Sequence, residues 1–129
     1  MGKYGEAAID AVKLFLSGRI MTPLEAWEEA TIKIFGLGTS SQLKGCPRDV
    51  FLSLCAEGFI KGIPPGNYTR SEKNKEYAIR ALEVLKENPE LSFEQRTLWR
   101  SVAGVDKSHN QQMDIVTSLW NNRLIKTRL

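Results

Sequence analysis

Apolar residues recur at three- and four-residue spacing through most of this chain, and glycine or proline closes each run. Tyr4, Ala8, Ala11, Val12 and Phe15 share one face of a helix over Lys3–Ser17, with Gly18 as its stop. Thr22-Pro23-Leu24-Glu25 is a capping box with proline at the first helical position. It opens a second helix to about Phe35, striped by Leu24, Trp27, Ala30, Thr31 and Ile34 and ended by Gly36-Leu37-Gly38. Thr39–Lys44 is polar, with room for one helical turn. Cys46-Pro47 begins a third helix, whose inward face is Val50, Phe51, Leu54 and Cys55, and Gly58 stops it. Phe59–Ile63 reads as extended, and Pro64-Pro65-Gly66-Asn67 as a turn.

The second part of the chain repeats this rhythm. Ser71–Glu87 is a fourth helix with Tyr77, Ala78, Ala81, Leu82 and Leu85 inward, ended by Asn88-Pro89. Ser92-Phe93-Glu94-Gln95 predicts a second capping box opening a fifth helix to about Ala103. After Gly104 and a tight connection over 105–108, a sixth helix runs to about Asn122, with Met113, Val116, Leu119 and Trp120 inward. Arg123–Leu129 reads as extended and basic. The expected fold is all-α, a single compact domain over residues 1–129 with about six helices.

Asp49–Lys61 and Asp114–Lys126 align without a gap at an offset of 65, with five identities in thirteen positions. DVFLSLCAEGFIK lies over DIVTSLWNNRLIK, so the chain reads as two loosely repeated helix-helix-strand halves. Pairing of the two tails, 59–63 with 124–128, predicts a short two-stranded ribbon resting on the helices.

Charge and composition narrow the chemistry. The net charge is only +3, but residues 44–70 carry four basic and two acidic side chains and residues 92–129 carry six and three. Each half thus has a basic end, compatible with a nucleic-acid partner. No apolar run reaches the ~20 residues of a membrane span, and charges at Asp10, Lys13 and Arg19 spoil a secretory core. Two cysteines make no disulfide framework and point to a reducing, cytoplasmic compartment. One histidine and two cysteines nine apart give no metal-ligand spacing, and Gly36–Ser41 lacks the phosphate-loop pattern. No cofactor and no metal are expected.

Cys46 is the one candidate nucleophile, at a helix start between Lys44 and Arg48, but no histidine neighbours it in sequence. The loop Gly62–Arg70 concentrates glycine, proline and polar groups. Lys44, Cys46, Arg48, Asn67, Tyr68 and Arg70 therefore form a candidate ligand or partner surface.

Two resemblances add to this reading. Leu98–Asp106 resembles the first helix and turn of helix-turn-helix DNA-binding proteins, and Asn122–Arg128 resembles a winged-helix strand. That resemblance implies a recognition helix from Ser108, with Lys107, His109, Asn110, Gln111, Arg123, Lys126 and Arg128 on nucleic acid. Arg100 and Asn110 depart from the motif, and no second wing strand follows. Separately, the KGCPR…FLSLC…GFIKGIPPGNYT stretch resembles a small family of bacterial helical proteins whose function is unknown. It covers about residues 44–82 and implies a bacterial origin and no activity.

The leading expectation is a non-enzymatic binding protein that reads nucleic acid through helix 108–122 and the basic tail. The alternative is a protein-interaction or self-assembling module using the 62–70 loop, as a homodimer or with a protein partner. A thiol-dependent enzyme using Cys46 is third.

Overall fold

The computed structural model describes residues 2–104, 107–108 and 111–126. They form six α-helices: α1 (Lys3–Leu16), α2 (Pro23–Phe35), α3 (Gly45–Ala56), α4 (Glu72–Glu87), α5 (Gln95–Ala103) and α6 (Gln112–Asn121). The local signals act as elementary helix chemistry requires. Thr22 caps α2: its Oγ1 accepts the Glu25 amide at 3.1 Å, and its hydroxyl donates to the Glu25 carboxylate. Gly18 takes φ +81° after α1, a conformation that favours glycine. Ser71 caps α4 by accepting from the Asn74 amide at 3.4 Å.

The core is one continuous cluster with α6 at its centre: every residue from Gln112 to Leu119 is buried. Burying a Leu or Ile side chain is worth ~2 kcal/mol, so the fully covered side chains Met113, Ile115, Val116 and Leu119 anchor the domain. Trp27 stacks on Phe51 at 5.2 Å, and Trp99 meets Tyr77 edge-on at 4.9 Å.

Four expectations change. Ser92–Gln95 is not a capping box. Pro89–Phe93 forms a 3-10 turn, Ser92 is buried against α6, and Glu94 precedes α5 without a side-chain cap. Leu24, expected in the apolar stripe of α2, lies at the surface. Helix six starts at Gln112, not Ser108, because Gln111 adopts a left-handed conformation at φ +67°. The two-stranded ribbon is reduced to one antiparallel bridge between Ile60 and Ile125. Ile63 N–H bonds back to the Ile60 carbonyl and Gly62 takes φ +86°, which turns the chain away after one residue pair. Positions 127–128 of that ribbon lie outside the described residues.

The repeat is structural, and its unit is three helices. At the offset of 65, the two segments end in the same bonds. Glu57 N bonds Ser53 O and Phe59 N bonds Leu54 O; Asn122 N bonds Ser118 O and Leu124 N bonds Leu119 O. Both helices thus close in the same left-handed terminal motif, with Gly58 at φ +74° and Arg123 at φ +60°. The bridge is reciprocal: Lys61 N donates to Leu124 O at 2.9 Å and Lys126 N to Phe59 O at 2.8 Å. The first helix of each half then packs on the last helix of the other, α1 on α6 and α4 on α3. The halves interlock about the Ile60–Ile125 bridge.

Candidate functional site

The segment Gly62–Arg70 is satisfied by its own neighbours. Ile63 is buried, and the Gly66 amide donates to the Ala56 carbonyl at 3.1 Å. Pro65 lies against Gly58, where an added methyl would stand 3.4 Å from the proline ring. The Tyr68 hydroxyl donates to the Pro64 carbonyl at 2.7 Å, and its ring covers Gly66 so closely that a side chain there would be 2.9 Å from it. The prolines and glycines therefore route the chain from α3 to α4.

The candidate residues of that loop separate. Arg48, Tyr68 and Arg70 line one cleft of about 440 Å³ together with Leu24, Glu28 and Asp49. Within it Arg48 pairs with Asp49 at 3.1 Å. Asn67 is exposed, and Lys44 precedes α3 without capping it. Cys46 faces a different cleft.

The nucleic-acid candidates also separate. A recognition helix needs an exposed face for a groove, and α6 has none between Gln112 and Leu119. Lys107 and Gln111 are exposed before its first turn, and Arg123 and Lys126 after its last. Ten helical residues, ~15 Å, divide the two groups. His109, Asn110 and Arg128 lie outside the described residues.

The cleft that Cys46 faces measures about 270 Å³ and lies where α4, α5 and the starts of α3 and α6 meet. Lys73, Asn74 and Tyr77 come from α4, Trp99 from α5, Cys46 from the first turn of α3 and Gln112 from that of α6. Lys107 and Ser108 close it. Trp99 holds that edge in place by donating its indole N–H to the Lys107 carbonyl at 3.1 Å. Asn74 sits in the buried register of α4 and is 8% exposed.

Lys73 and Lys107 line the same cleft, near enough for each to shift the pKa of the other. A hydrogen bond that the neutral Lys107 amine accepts from Lys73, and then the like charge of Lys73, lower the Lys107 pKa. The same hydrogen bond, followed by Tyr77, raises that of Lys73. Both lysines are exposed, so solvent mutes these effects. Cys55, by contrast, is fully buried, and desolvation pushes its thiol far up, which makes it inert. Sequence reasoning found Lys107 and Cys46 but missed Lys73 and Asn74. The usable signal was Asn74, a polar residue at an apolar position of the α4 stripe.

Among the described residues no three His, Cys, Asp or Glu side chains gather as a metal site, and no helix is long and apolar enough to cross a membrane. The chain belongs to a family of unknown function, DUF6979, whose model matches residues 1–126. No curated protein and no solved structure matches it.

Proposed function

We propose that this chain is a non-enzymatic binding protein for a small anion, held in the cleft between α4, α5 and the first turn of α6. The observation that carries the reading is the lysine pair. Lys73 of α4 and Lys107 of the α5–α6 connection line one cleft, and their like charges favour a negative group between them. The starts of α3 and α6 border the same space, adding the positive ends of two helix dipoles. Small-molecule pockets begin near ~300 Å³, so the cleft suits a small metabolite better than a strand of nucleic acid.

Cys46 has cations, amides and aromatic rings around it, a setting that suits holding an anion. A free thiol at the cleft suits a reducing, cytoplasmic compartment.

Calorimetric titration with orthophosphate and glycerol 3-phosphate at low ionic strength tests the reading. Binding should weaken tenfold or more in the Lys73→Gln/Lys107→Gln double variant. Unchanged affinity in that variant would refute it. Tighter binding of duplex DNA than of either small anion, weakened by Lys126→Glu, would restore the nucleic-acid reading in its place.

A further inference from the structure

Asn74 raises a question of its own. The buried positions of α4 repeat those of α1 at an offset of 70: Asn74, Tyr77, Ala78, Ala81 and Leu82 follow Tyr4, Ala7, Ala8, Ala11 and Val12. In the first half Tyr4 packs its ring on Phe35 at 4.7 Å and donates its hydroxyl to the Ser41 carbonyl at 2.8 Å. It thereby ties α1 to the connection between α2 and α3. In the second half the residue in that register is the shorter Asn74, and it lines a cavity closed by Lys107 and Ser108 of the α5–α6 connection.

The Asn74 Nδ2 donates to Ser71 Oγ at 3.1 Å, but its buried Oδ1 has no hydrogen-bond partner among the described residues. A buried acceptor without a donor is costly, and such groups are uncommon in folded proteins. The charged lining groups, Lys73 and Lys107, call for negative charge. Asn74 Oδ1 calls for an O–H or N–H.

We infer that the ligand is a hydroxylated small anion, a polyol phosphate or a hydroxy acid. A turn of the Asn74 amide brings its covered Oδ1 to the ligand hydroxyl, which donates to it, and the charged group sits between Lys73 and Lys107. This rests on the anion-binding reading and narrows it. A site built around a substrate hydroxyl discriminates strongly against analogues that lack it, because the acceptor is then left unpaired.

Two matched pairs test the inference on the full chain by calorimetry: glycerol 3-phosphate against propyl phosphate, and glycerate against propionate. The phosphate and carboxylate arms identify the anionic head. In the arm that binds, the hydroxylated member should bind about tenfold or more tightly. Asn74→Leu should remove that preference while leaving the unhydroxylated member within about threefold. Asn74→Tyr, which restores the residue of the first half, should abolish binding by filling the cavity. Equal affinities within a binding pair overturn the hydroxyl inference alone. A preference that survives Asn74→Leu overturns it too, and no binding of any of the four overturns the anion reading with it. The wild-type pairs decide the matter even if a variant fails to fold.

Discussion

Asp114 is the residue on which the interlocking of the halves most directly depends. It is 1% exposed in the first turn of α6, and it caps α1 from across the domain. Its Oδ1 accepts from the Gly2 amide at 2.9 Å and from Gln95 Nε2 at 3.2 Å, and its Oδ2 accepts from the Gly5 amide at 2.7 Å. Asp114→Asn should therefore be far from conservative. If the remaining oxygen stays on Gly2 and Gln95, the new NH₂ faces the buried Gly5 N–H, donor against donor. Leaving that amide unpaired costs ~1–3 kcal/mol, and losing the charge at a buried helix start costs about 1 more. The expected loss is about 3 kcal/mol, a fall in Tm of roughly 10 °C for a domain of this size.

Asp49, the equivalent residue 65 positions earlier, provides an internal control. It is half-buried and among the described residues pairs only with its neighbour Arg48, so Asp49→Asn should cost under ~1 kcal/mol. Urea unfolding at constant m-value measures both. A loss below about 1 kcal/mol at Asp114, or equal losses at the two sites, would refute the argument.

Three further outcomes follow from the same geometry. Iodoacetamide should modify Cys46 in the native protein and Cys55 only after unfolding, and a bound anion should slow the first reaction; mass spectrometry of the two peptides checks this. Anion affinity should decline as pH rises through the lowered Lys107 pKa, since both lysines are charged below it and only Lys73 above it. Tyr77 and Cys46 face the same cavity and Glu76 faces Lys73, so Lys107→Gln must remove that step; a flat profile up to the ordinary lysine range would count against it. Arg123→Gly should stabilise by about 0.5–1 kcal/mol because glycine tolerates φ +60°, while Gly58→Ala should destabilise by about 1–2 kcal/mol; melting curves of both variants settle the pair.

Much of the fold was legible because helix boundaries are set locally. Thr22-Pro23, Gly18, Gly58 and Asn88-Pro89 act through their own backbone chemistry, and the structure places helix ends beside them. Ser92–Gln95 misled because a capping box specifies contacts among four residues. It says nothing of Asn121, whose side chain claims the Ser92 carbonyl at 3.1 Å. Helix six misled for a related reason: Asn110 and Gln111 look like groove-facing residues only if α6 lies at the surface, and burial is decided by the helices that pack on it, α1 and α3 foremost. Lys73 and Lys107, 34 positions apart, could not be paired from sequence, since their meeting depends on how α4 crosses the start of α6.

The clefts themselves come from where the two halves cease to match. Gly5 lets α1 press on α6 so tightly that an added methyl would overlap the Ser118 hydroxyl and lie 2.9 Å from the Asp114 carbonyl. Seventy positions later the residue is Lys75, which reaches Glu57 at 3.7 Å. A lysine side chain cannot lie where Gly5 lies, and the start of α4 is capped by its own Ser71. Asp49, freed from the capping duty of Asp114, turns to Arg48. The first turn of α4 is left bordered by open space on two sides, the Arg48–Arg70 cleft and the Lys73–Lys107 cleft. One half locks the domain through a buried carboxylate and bare glycine backbone. The other caps its first helix from within and places Lys75 where the first half has glycine, and the cleft proposed to bind the anion lies there.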